Sequence, residues 1–113
     1  MSIFDKLSER VGDFLGEVLL PEDVRQSHER AARAMQRGEY KIALLTLEEA
    51  ERRRPNVERT RHLMGQCYFY DGNLIRAVEL FKEALALREE PSTHFYYGLA
   101  LEQLGQYADA QVH

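Results

Sequence analysis

A repeat constrains this chain more than any other feature of its sequence. Gly38, Tyr40, Ala43, Leu47 and Ala50 recur as Gly72, Leu74, Ala77, Phe81 and Ala84, each 34 positions later. Gly65, Gly72, Leu74 and Ala77 recur in turn as Gly98, Gly105, Tyr107 and Ala110, each 33 positions later. A period of this size, built from two helical segments, belongs to a helical solenoid, in which each unit buries its apolar face only by stacking on a neighbour. The clearest copy runs over residues 61–91, as two amphipathic segments around a tight turn at Asp71-Gly72-Asn73. Met64, Gly65 and Tyr68 fall three and four apart on one segment, and Ala77, Phe81 and Ala84 on the other. The spacing predicts helix pairs over 23–37 with 40–53, 57–70 with 74–88, and 92–103 with 107 onward. Pro55-Asn56 and Glu90-Pro91-Ser92-Thr93 separate the units.

The small residues carry physical content of their own. Gly65 and Gly98 stand in mid-helix, where glycine costs about 0.5–1 kcal/mol against alanine. A chain accepts that cost where another helix must approach the backbone closely. Gly38, Gly72 and Gly105 are placed to end the first helix of each unit in a left-handed conformation. Phe81 and Leu47 are the large side chains that fill the space between helices.

These positions resemble the tetratricopeptide repeat (TPR). The first unit, 24–57, keeps Ala31, Gly38, Tyr40, Ala43, Ala50 and Pro55 of that pattern, with Leu47 in place of an aromatic. The second, 58–90, keeps Gly65, Tyr68, Gly72, Ala77, Phe81 and Ala84 but lacks the closing proline at Glu89. The third, 91–113, keeps Gly98, Gly105, Tyr107 and Ala110. The resemblance implies an all-α, right-handed helical solenoid of antiparallel helix pairs, TPR-like, over 24–113; outside it, the apolar spacing of the residues themselves predicts an additional N-terminal helix over 1–20. The resemblance also implies a scaffold or adaptor that binds a protein or peptide partner, with no catalytic residue, no metal and no cofactor.

Composition narrows the alternatives. With 15 basic and 19 acidic residues the formal charge is -4, a poor balance for a nucleic-acid surface. Arg52-Arg53-Arg54 reads instead as basic residues at a helix C-terminus with acids one turn earlier. No apolar run approaches the length of a membrane span. Asp5, Glu9, Asp13 and Glu17 interrupt the N-terminal apolar pattern, so no secretory signal is expected and the default compartment is the cytoplasm. Ile3, Phe4, Leu7, Val11, Phe14, Leu15, Val18 and Leu19 form one broad stripe. Its polar face is too acidic for an anionic bilayer, so stable membrane insertion is not expected, and packing on the repeats or on another subunit is. Cys67, the single cysteine, reads as a core residue.

In the repeat family the first helix of each pair lines a concave surface. Carried over position by position, that surface consists of five rows. They are Arg25, Arg59 and Ser92; His28, His62 and Phe95; Ala32, Gln66 and Leu99; Met35, Phe69 and Glu102; and Gln36, Tyr70 and Gln103. Its aromatics, methionine, amides and arginines suit a peptide or helix of a partner. The family's clamp for chaperone-tail carboxylates needs lysines, asparagines and an arginine where this chain has His28, Ala32, Leu63, Ser92 and Tyr96, so that mechanism is not expected. His28 and His62 without a converging carboxylate or thiolate make too thin a set for a metal. A different reading is a structural self-assembly unit, a homo-oligomer formed through repeat surfaces and residues 3–19. The third unit lacks counterparts of Phe81 and Ala84, about one further helical stretch by the period. The expectation is therefore a piece of a longer repeat protein, with the face beside Phe95, Leu99 and Leu101 covered by another element.

Overall fold

The computed structural model describes residues 20–112, with side chains through Tyr107. The apolar segment before Leu20 lies outside the described residues. Five helices follow one another: α1, Glu22–Gln36; α2, Tyr40–Arg53; α3, Glu58–Tyr70; α4, Leu74–Leu87; and α5, Pro91–Val112. Among the described residues there is no strand. The first four helices fall within a residue or so of the bounds that spacing predicts.

Local chemistry explains the breaks. Gly38 and Gly72 have φ of 76° and 90°. At both, the chain closes in the same way. Gly38 N–H donates to the Met35 carbonyl and Glu39 N–H to Ala34, while Gly72 N–H donates to Phe69 and Asn73 N–H to Tyr68. These bonds satisfy the last carbonyls of α1 and α3, and only glycine takes the required backbone conformation without strain. Asn73 then caps α4, its side chain accepting from Arg76 N–H. The loop between α2 and α3 turns at Asn56, φ 64°, a conformation asparagine tolerates better than most residues.

The helices stack in sequence. Each packs on the next, α3 also packs on both α1 and α5, and α2 and α4 do not approach each other closely. The first helices therefore form one layer and the second helices another, in an elongated body of 53 × 37 × 22 Å. The structure is a solenoid of antiparallel helix pairs. Its core has two parts. One gathers Ala31, Ala43, Leu47, Leu63, Cys67 and Leu80 from α1 to α4; the other gathers Ala77, Phe81 and Ala100 with Tyr68 and Tyr96 around them.

Size compensates between units. Phe81 is fully buried, and its ring lies over Gly65, so close that an added Cβ there would stand 2.6 Å from the ring. The counterparts in the first unit are Leu47 and Ala31, both fully buried in one cluster. A smaller knob accompanies a larger seat. Burying either knob contributes about 1.5–3 kcal/mol.

The third unit differs from the expected helix pair. α5 runs unbroken from Pro91 through Gly105 to Val112, so no turn forms there. Gln106 follows Gly105 where Asn73 follows Gly72, but Glu39 after Gly38 makes no side-chain cap either, so capping does not decide the turn. Tyr107, in the place of Leu74, is 61% exposed and packs on nothing that would draw the chain back. A glycine permits a left-handed turn; packing of the returning helix has to hold it.

Candidate partner groove

The layer of α1, α3 and α5 presents a concavity of about 460 Å³. α1 contributes Ala32, Met35 and Gln36 to its wall, and α3 contributes Arg59, Leu63, Gln66 and Tyr70. Tyr96 of α5 and Tyr40 at the start of α2 complete it. The side chains come from positions three and four apart on each helix, which places them on one face.

Tyr96 organises the aromatic side. Its ring meets Tyr70 at 6.1 Å, Phe69 at 5.7 Å and Phe95 at 5.6 Å, each nearly edge to face, and lies closer to parallel with Phe81 at 5.9 Å. Such pairs add about 0.5–1.5 kcal/mol beyond the area they bury. Tyr40 stacks on the far side of Tyr70 at 6.3 Å. The Tyr70 and Tyr96 hydroxyls are 2.7 Å apart. That hydrogen bond, followed by burial, pushes the Tyr70 phenol up to about 12, so it stays protonated near neutrality. One proton is used between the two hydroxyls and the other remains to be donated outward.

Of the residues expected at the groove, Met35, Arg59, Gln66 and Tyr70 come together in the concavity. Arg25 is exposed on α1 outside its lining, and Leu99 is half-buried on α5. Phe69 is half-buried against the Ala77–Phe81–Ala100 cluster. Phe95 is 63% exposed and does not line the concavity. His28 and His62 are placed differently from the expectation: they are 8% and 2% exposed and lie between successive first helices. His28 Nε2 is 2.7 Å from Thr60 Oγ1, and His62 Nδ1 is 2.8 Å from Thr93 Oγ1. Both imidazoles are pushed down to about 4, by burial first and by the Arg59 guanidinium second. The Thr93 hydroxyl also donates to Glu58 at 3.3 Å, in which arrangement the His62 Nδ1–H donates to Thr93. These histidines bridge successive units and are buried in the seam between them.

On α3 and α5 one expected row is displaced by a single residue. Leu63 and Tyr96 line the groove, not His62 and Phe95. One step along a helix turns a side chain by about 100°, enough to move it from the groove to the inter-helix seam. The repeat offset alone does not distinguish the two rows. The partners that mark the seam, Thr60 and Thr93, are fully buried against these histidines only once the helices are packed.

Among the described residues no group of three His, Cys, Asp or Glu is placed to hold a metal. Cys67 is buried, and burial, with Asp71 adding to it, pushes its thiol up to about 12. No described helix is long and apolar enough to cross a membrane.

The paired helices, glycine-seated knobs and concave inner layer define a tetratricopeptide-like interaction scaffold. More particularly, residues 36–113 match the family model of the anaphase-promoting complex, cyclosome, subunit 3, and the chain belongs to that family. It is a repeat protein with a general scaffold role in protein interaction. No curated protein matches the sequence. Among solved structures, the MamA RS-1 ArsTM double mutant is similar, with a TM-score of 0.68 and 26% identity over 80% of this chain. The similarity covers 51% of that chain, so the present one spans about half its length.

Proposed function

We propose that the concave face of α1, α3 and α5 is where this protein receives a peptide or helix of a partner, acting as scaffold or adaptor. The observation that supports the reading is the concavity itself. It combines an exposed guanidinium at Arg59, amides at Gln36 and Gln66, a methionine at Met35 and the Tyr70–Tyr96 pair on a floor of Ala32 and Leu63. Aromatics supply contact area at small entropy cost, amides satisfy backbone groups, and the apolar floor excludes water. Gln66→Ala combined with Tyr70→Ala changes the groove without touching the fully buried core. Binding partners retained by the wild-type domain in affinity capture are expected to be lost from this variant while its melting temperature holds. Partners retained equally by both would place the binding surface elsewhere.

A second reading, self-assembly, is favoured by one observation. Phe95, Leu101 and Tyr107 of α5 are all substantially exposed. Spaced six residues apart, they stand about 120° apart around α5, so more than one side of the helix offers an apolar contact to another copy. Sedimentation over a wide concentration range tests it, and a monomer at the highest concentration counts against it.

A further inference from the structure

The concavity carries one formal charge. Arg59 lines it, is exposed and makes no ion pair among the described residues, and no Asp or Glu shares the wall. The polar groups around it are also rich in donors. The Gln36 and Gln66 amides are present, and the Tyr70–Tyr96 pair has one hydroxyl proton to give outward. A ligand that satisfies this surface brings a carboxylate for the guanidinium, and backbone carbonyls and N–H groups for the amides, which both donate and accept. An extended segment offers such carbonyls along its length, whereas the middle of a helix has already used them.

The surroundings limit the acid to one. Arg59 also forms part of the wall of an adjoining cleft of about 350 Å³, whose other lining includes Glu58, Glu90 and Arg88, the last paired with Glu90 at 3.0 Å. Those two carboxylates already repel each other, and with burial as the larger cause the Glu58 carboxyl is pushed up. On α1, Glu29 occupies the position equivalent to Leu63 and is exposed beside the groove. A second acid meets Glu29 on one side of Arg59 and, on the other, Glu58, whose carboxyl stays pushed up even with Arg59 and Arg88 beside it.

Resting on the groove reading above, we propose that the concavity takes an extended peptide with a single Asp or Glu held by Arg59. Apolar side chains of the peptide flank that acid, seated on Leu63, Met35 and the Tyr70–Tyr96 pair. An acidic run is disfavoured by Glu29, Glu58 and Glu90, and a lone apolar peptide leaves the guanidinium facing a ligand without a partner.

A random peptide library displayed on phage and selected on the folded chain tests this. The enriched sequences are expected to share one acid next to apolar residues. A synthetic peptide of that sequence should lose roughly tenfold in affinity when its acid becomes the amide, and roughly tenfold again in the original peptide against Arg59→Gln. The two changes together should cost no more than either alone, the mark of a direct pair. Arg59 makes no ion pair among the described residues, so its replacement is expected to leave the melting temperature unchanged. Enriched peptides that lack an acid, or whose affinity ignores Arg59→Gln, overturn the proposal. If they are still weakened by Gln66→Ala and Tyr70→Ala, the groove reading survives without it. Peptides with several successive acids that bind more tightly than singly acidic ones also overturn it. Peptides indifferent to all three substitutions overturn both readings.

Discussion

His28 Nε2 lies 2.7 Å from Thr60 Oγ1, a hydrogen bond that crosses from the first repeat unit to the second. One unit further on, His62 and Thr93 make the same connection at 2.8 Å. Both imidazoles are held neutral in the fold, down to about 4, while an unfolded chain has its histidines near 6.5. Protonation thus favours the unfolded state. Each contribution is whole above about pH 6.5 and is lost as the pH falls toward 4, on the order of 2 kcal/mol per histidine. Glu58 works in the other direction, because burial and then Glu90 raise its carboxyl, so its folded form gains a proton more readily. Urea unfolding at pH 7 and near pH 4.5 should show a net fall in stability, reduced in His28→Gln and in His62→Gln. An unchanged midpoint would show that the two imidazoles are not held neutral.

The threonines should be as important as the histidines. Thr60→Val keeps the shape but leaves a buried imidazole nitrogen without a partner, at a cost of about 1–3 kcal/mol. Thr60→Ser retains the hydroxyl and is expected to cost less. Chemical denaturation of both variants measures the difference, and equal losses would assign the role of Thr60 to packing alone.

Two equivalent glycines should respond oppositely to alanine. At Gly65 a Cβ would stand 2.6 Å from a ring carbon of Phe81, which is fully buried and has nowhere to move. Gly65→Ala is expected to destabilise by about 1–3 kcal/mol through overpacking. At Gly98 nothing lies within 4 Å of the added atom, so Gly98→Ala gains helix propensity, about 0.5–1 kcal/mol. Thermal melts of the pair check the contrast.

Arg61 joins three parts of the chain. Its guanidinium donates to Glu51 of α2 at 2.9 Å, to Glu83 of α4 at 3.2 Å and to Asn56 of the loop at 3.1 Å. The other Glu51 oxygen is buried without a hydrogen-bond partner, so removing Arg61 leaves that carboxylate poorly compensated. Arg61→Gln should cost about 1–2 kcal/mol. Arg53→Gln, which breaks exposed pairs with Glu49 one turn away and with Asp23 of α1, should change stability by no more than about 0.5 kcal/mol. Urea midpoints of the two variants test the ordering.

Cys67 reports on opening of the core. Buried and with its thiol pushed up to about 12, it presents almost no thiolate at neutral pH. Iodoacetamide should leave it unmodified in the folded protein and alkylate it once urea unfolds the chain. Rapid alkylation under native conditions would mean that α3 separates readily from α1 and α2.

The repeat, the helices and two of the turns were legible in the residues themselves. A period of 33 or 34 with glycine at Gly38 and Gly72 determines where helices end, because left-handed backbone there is a local property. Small residues at Ala31 and Gly65 determine where knobs sit, because volume has to match across a packed pair. Two matters were decided only by tertiary structure. Whether His62 or Leu63 faces the groove depends on helix rotation, and neighbouring residues about 100° apart carry the same repeat signal. That rotation is set by what α5 brings to the seam, namely Thr93 for the imidazole and Tyr96 for the groove. Gly105 has the same repeat position as Gly72, yet α5 passes straight through it. A glycine removes the steric barrier to turning, but burial of a returning helix has to stabilise the turn, and that burial is a property of the packed fold.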